Sequence, residues 1–213
     1  MLDWPADIAE LADALGVDRF AVFGFSFGGP YVRACAYALP ERVIRAGLIS
    51  CLAPVDDTAA KRGMPAATRY GLAAARRSPL LARPMVALTA RQALGGRMVD
   101  GLRRSMSPPD RDVLQRSEVR DGLGRSLAES FRQGIGVATW DAVAVARGEG
   151  FGLQNIRTEV LIWHGERDRN DPVNMARLQE RQLPHAKAVY YPEDGHLIFY
   201  SRIEEILPEL IAP

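Results

Sequence analysis

The stretch FAVFGFSFGGPYVRACAYALP, residues 20–40, decides how the rest of the chain is read. It opens with a short apolar run, passes through Gly24-Phe25-Ser26-Phe27-Gly28, and continues from Pro30 to Leu39 with the spacing of a helix. Strand, glycine-bracketed serine, helix: a turn that tight forces its central residue into a strained backbone, and flanking glycines leave room for it. The serine hydroxyl is thereby pushed out beyond the carboxyl end of a sheet, where the N–H groups opening the following helix also point. A GxSxG pentapeptide alone is weak evidence, because glycine and serine are common in ordinary loops. Its position between a strand and a helix is what gives it weight.

Outward from this corner the chain alternates. Pro5 to Leu15 reads as a helix stopped by Gly16, with Ile8, Leu11 and Leu15 on one face. Arg19 to Phe23 is a strand apolar on both faces, the pattern of a buried parallel strand, and Val43 to Ser50 is a second. Downstream come a strand at Glu159 to Trp163, a helix at Val173 to Gln182, a strand at Ala188 to Tyr191 and a helix from Ile198 to Leu210. This predicts an α/β fold, a mostly parallel sheet with helical crossovers. Residues 56–150 contain no convincing strand and read as a helical insertion, with Pro84 to Gly95 as a helix entered by proline and closed by glycine. The expected division is 1–55, first part of the core; 56–150, helical insertion; 151–213, second part of the core.

Composition narrows the function classes. The chain has 213 residues, 47% hydrophobic and 25% charged, the balance of a soluble globular domain. A formal net charge of +1 argues against a nucleic-acid binder. No apolar run has the length of a membrane span and the first residues carry no secretory pattern, so membrane contact is not expected and a cytoplasmic address is. Between Lys61 and Arg104 ten basic residues surround one acid, Asp100, which reads as a solvated basic face. Cys35 and Cys51 lie in apolar stretches and read as buried thiols. No metal-ligand spacing and no phosphate-loop motif is present, so neither metal nor cofactor is expected.

A serine is a poor nucleophile until a base takes its proton and an acid orients that base. There are three histidines. His185 precedes its strand and so enters at the wrong edge; His164 ends a strand and fits a packing role beneath the site; His196 follows a strand and emerges at the edge where Ser26 stands. For the acid, Glu166, Asp168 and Asp171 compete within one loop. Asp168 is preferred, because Asp171 sits against Pro172 where it could cap the next helix.

Ser26, Asp168 and His196 in that order, each after a strand, with HGERDRNDPV (164–173) as acid loop and PEDGHLIF (192–199) as histidine loop, resemble the α/β-hydrolase superfamily. The resemblance covers both sheet blocks. It implies a serine hydrolase cleaving a small-molecule carboxylic ester or related acyl compound, with Ser26, Asp168 and His196 as catalytic residues and the N–H of Phe27 binding the oxyanion. It also implies a cap domain in the 56–150 insertion. Separately, the aromatic side chains Phe25 and Trp140 are read as candidates to line an apolar acyl pocket. A serine at the corner argues against the dehalogenases and epoxide hydrolases of the superfamily, which use aspartate there. One departure is evident: the strands that precede the nucleophile in the family, and the loop that supplies a second oxyanion donor, are lacking. The fold is therefore expected to be N-terminally truncated, with Met1 internal to a longer natural protein. The first strand becomes an exposed sheet edge through which a homo-oligomer could form. The alternative reading is a catalytically impaired fragment or an interaction module.

Overall fold

The computed structural model describes residues 1–55, 58 and 60–212. Four strands form one sheet in the order β1-β2-β3-β4: β1 Phe20–Phe25, β2 Val43–Ile49, β3 Val160–Gly165 and β4 Ala186–Tyr191. All neighbouring pairs are parallel. The central register sets Ala46 opposite Val160 and Ile49 opposite Trp163.

Helices cover both faces, which explains why the strands are apolar on both. On one face lie α2 (Gly29–Ala38) and α9 (Val173–Gln182), burying Val32, Cys35, Ala46, Leu48, Ile162 and Ala176 together. Helix α1 (Trp4–Ala14) packs on α2. On the other face lies α10 (Ile198–Ile211), whose Ile206 and Leu210 meet Leu161 and Trp163. Leu161 and Trp163 thus face α10 while Val160 and Ile162 face α9, the period of two expected along a strand. Gly47 lets the layers close, since a methyl group there would come within 3.1 Å of Leu210 and 3.0 Å of Phe23.

Between β2 and β3 the described residues form six helices: α3 (Ala66–Arg77), α4 (Pro79–Leu94), α5 (Met98–Ser105), α6 (Pro108–Val113), α7 (Ser117–Glu129) and α8 (Ile135–Arg147). Helices α3, α4 and α8 pack against one another. The proline-started helix expected at Pro84 begins a turn and a half earlier. Ser78 caps it by accepting the Leu80 N–H at 3.2 Å, Pro79 occupies the first turn, and Pro84 lies inside. Proline there deprives the Leu80 carbonyl of its partner, on a residue 72% exposed where water can take its place. The first strand stands at the sheet edge, as expected of it, half-buried and with Phe23 41% exposed.

Both ends of the helical segment hang on one guanidinium. Arg33 of α2, fully buried, donates from Nη1 to the Leu52 carbonyl at the segment's entrance at 2.9 Å and to Gln179 Oε1 of α9 at 2.5 Å. From Nε and Nη2 it grips the Glu149 carboxylate at the segment's exit. Removing one partner of such a pair strands a charge without water. Glu149→Ala is expected to destabilise the chain by about 3–5 kcal/mol, while the paired change Arg33→Met with Glu149→Leu recovers most of that loss. Urea denaturation of the two variants beside the parent measures both quantities.

Candidate functional site

The site is built where the strands end. Gly24, the last buried residue of β1, has no room for a side chain: a Cβ would lie 2.8 Å from both the Gly28 backbone and Val32. Gly29 is as tight against Cys51. Between them Ser26 adopts φ of 54°, a left-handed conformation costly for serine. Gly28, expected to be crowded, has nothing within 4 Å of its Cβ position, so the space beside the serine turn is open there. The turn is locked from below, where the Leu52 N–H donates to the Ser26 carbonyl at 3.3 Å and the Cys51 thiol to that of Gly24 at 3.1 Å.

The loop after β3 carries the acids. Asp168 Oδ1 accepts the N–H groups of Asn170 and Asp171 at 2.8 and 2.9 Å, which folds the loop around its own carboxylate. Oδ2 accepts from His196 Nδ1 at 2.8 Å. A carboxylate only accepts, so Nδ1 carries the hydrogen and Nε2 of His196 is left to act as a base. The acid loop and the histidine loop lie backbone to backbone: a Cβ on Gly165 would collide with the carbonyls of Gly195 and Asp194. Against the His196 ring, 4.9 Å between centroids, rests Phe25.

His164 takes the supporting role expected of it. Fully buried, its Nε2 donates to the Asp171 carbonyl at 2.7 Å and stands 3.4 Å from Asp168 Oδ2. Burial holds its pKa below the usual value against the pull of Asp168, so it stays neutral. His196 is the opposite case. Burial works against its charge, but the Asp168 carboxylate, its hydrogen bond, and the charges of Asp171 and Asp110 outweigh that and push the pKa up to about 9.

One acid departs from the role expected of it and another escaped the reading of the sequence. Asp171 does not cap α9: its carboxylate accepts the Ser26 hydroxyl at 3.1 Å, and among the described residues no hydrogen bond joins Ser26 to His196. Asp110, buried on α6, accepts the Leu197 N–H at 2.7 Å and the Ser107 hydroxyl at 2.5 Å. The helical segment is thereby tied to the residue next to His196. The signal for Asp110 was local, since Ser107-x-x-Asp110 has capping-box spacing; nothing in the sequence pointed it at residue 197. Of the other expected site residues, Phe27 directly follows Ser26 and is 40% exposed, and Trp140 lies on α8, 61% exposed.

A family model described as alpha/beta hydrolase fold matches residues 1–202. No curated protein matches the chain. Among solved structures, an esterase from Exiguobacterium antarcticum superposes with a TM-score of 0.65 at 19% identity, covering 98% of this chain and 71% of that one. An esterase from Rhodococcus sp. ECU1013 gives 0.61 at 19% identity, over 97% and 72%. A 2-hydroxy-6-oxo-6-phenylhexa-2,4-dienoate hydrolase from Rhodococcus sp. strain RHA1 gives 0.61 at 18% identity, over 97% and 68%. At these identities the likeness establishes the fold.

Asp110 supplies a direct check on the geometry. Asp110→Ala removes the acceptor for a buried N–H and leaves the Ser107 hydroxyl unpartnered, so the chain is expected to lose about 1–3 kcal/mol of stability. Asp110→Asn, which keeps one acceptor oxygen, is expected to lose less. Thermal unfolding of the two variants beside the parent ranks them.

Proposed function

Since the chain belongs to the alpha/beta hydrolase fold family, we propose that it is a serine hydrolase cleaving a carboxylic ester or related acyl compound through Ser26, His196 and Asp168. The observation that carries this reading is the 2.8 Å bond from His196 Nδ1 to Asp168, beside a serine held at φ of 54° at the end of β1. In the mechanism, the Ser26 hydroxyl turns from Asp171 to His196 Nε2, gives up its proton as Oγ attacks the carbonyl carbon, and forms a tetrahedral intermediate. Asp168 holds the imidazole in the tautomer that leaves Nε2 free and steadies the imidazolium that forms. The N–H of Phe27 donates to the oxyanion, where a single donor is worth about a hundredfold or more in rate. His196 then protonates the leaving alcohol, and water activated by the same nitrogen releases the acyl group.

The helices between β2 and β3 serve in this reading as a cap over the acyl pocket, with Phe25 against the histidine and Trp140 at the rim. A small neutral acyl compound suits a buried site that already holds several carboxylates, and no cofactor enters the scheme. No helix among the described residues is long and apolar enough to cross a membrane. A second reading, an interaction module that pairs through its sheet edge, is favoured by the outer edge of β1 with Phe23 exposed. A monomer on size exclusion that cleaves esters contradicts it.

Ser26→Ala is expected to lower kcat/KM for short-chain aryl esters by about a thousandfold or more. Hydrolysis undiminished by that change would overturn the reading. The pH dependence has a definite sign. His196 works as a base when neutral and its pKa is pushed up to about 9, so kcat/KM rises with pH across the neutral range and levels off only in the alkaline. A rate profile from pH 6 to pH 10 checks it.

A further inference from the structure

The backbone of Asp171 has clear structural duties: its N–H donates to Asp168 and its carbonyl accepts from His164. Its side chain has none of that kind. The residue is 2% exposed, it caps no helix, and the Ser26 hydroxyl is the hydrogen-bond partner of its carboxylate among the described residues. Burying a carboxyl is expensive, and an apolar side chain of similar size would fill the space at less cost. The surplus acid faces the nucleophile, so its effect is sought there.

We propose that Asp171 is a positioning residue, a second carboxylate that holds the Ser26 hydroxyl away from His196 and whose charge governs when His196 can accept a proton. This rests on the serine-hydrolase reading above. A hydroxyl has one hydrogen, and while it is donated to Asp171 it is not available to Nε2. Attack requires the hydroxyl to leave a charged acceptor for a neutral one, and charge-assisted hydrogen bonds are the stronger kind. The same carboxylate favours imidazolium over imidazole, which withholds the base as well.

The groups facing this pair are few. His196 meets Asp168 and Asp171 from the loop after β3, Asp110 from α6, His164 from β3, and the uncharged Phe25 ring from β1. Asp171 meets Ser26, Asp168, His196, the His164 ring at its carbonyl, and the Cys51 thiol, which burial keeps neutral with a pKa of about 12. Burial, helped by Asp168 and opposed by His196, raises Asp171 to about 6. Above that pH Asp171 is charged and His196 stays protonated until the alkaline range.

The test is the pH profile of Asp171→Asn with a neutral aryl ester. Removing the charge lets His196 lose its proton earlier, so the acid limb of kcat/KM moves to lower pH. A limb lower by about one unit raises kcat/KM at pH 7 about tenfold. A limb that stays in place, or moves up, overturns the proposal, whatever happens to the maximal rate. A second measurement needs no folded variant. In the parent, 15N-labelled histidine spectra are expected to show the His196 resonance bending near pH 6, as Asp171 ionises, and titrating fully only in the alkaline; a curve with no inflection near pH 6 overturns it. Ester cleavage that survives Ser26→Ala would instead sink the serine-hydrolase reading while leaving the histidine titration to judge Asp171 alone.

Discussion

The Arg33 guanidinium is the joint on which the other elements close. It binds the carbonyl where the chain leaves the sheet, the carboxylate where the chain returns, and the amide of Gln179 on α9. Gln179 in turn donates to the Cys51 carbonyl at 3.2 Å, and the Cys51 thiol to Gly24. One buried cation therefore sits at the head of a chain of hydrogen bonds that ends at the serine turn. A left-handed serine costs on the order of 1–3 kcal/mol and persists only where its surroundings over-determine it. Here they do, because Gly24, Cys51 and Leu52 are each held from the far side.

Much of this was legible from the residues. The alternation of apolar strands and helices gave the parallel sheet, because strands covered on both faces must be apolar on both. Val173–Gln182 is helical over the span its periodicity indicated. His185 accepts a backbone bond at the entrance of β3, far from the site edge, as its place before a strand required. Strand ends narrowed the partners to His196 and one loop of three acids; the preference for Asp168 within it rested on a capping role for Asp171 that the fold does not give it. Less legible were features set by packing across long stretches of sequence. Pro84 looked like a helix start because proline at a first turn and proline inside an exposed turn share a local signature. The destinations of Asp110 and Asp171 depend on contacts 87 and 145 residues away in the chain, which no spacing rule reaches.

The electrostatics of the site follow from its burial rather than from any one contact. Water is excluded from Asp168, Asp171, His164 and His196 alike. Two imidazoles under one roof then behave in opposite ways. His164 lies against a carbonyl and stays neutral; His196 lies among carboxylates and favours its charge. Each gives the other a fixed background: the neutral ring holds the loop without adding a competing charge, and the acid loop orients the ring that can change its protonation.

The register between β2 and β3 also bears on how the chain reaches this state. Ala46 pairs with Val160, so the middle ladder of the sheet cannot start until the whole helical stretch has been made. The entropy of closing so long a loop grows only slowly with its length, about 0.6 kcal/mol per doubling, but it must be met before the ladder gives anything back. Local contacts form early and the sheet late. The β2–β3 ladder is thus a non-local pairing of the kind that slows folding, and until the second half of the chain is made β2 has a partner on one flank alone.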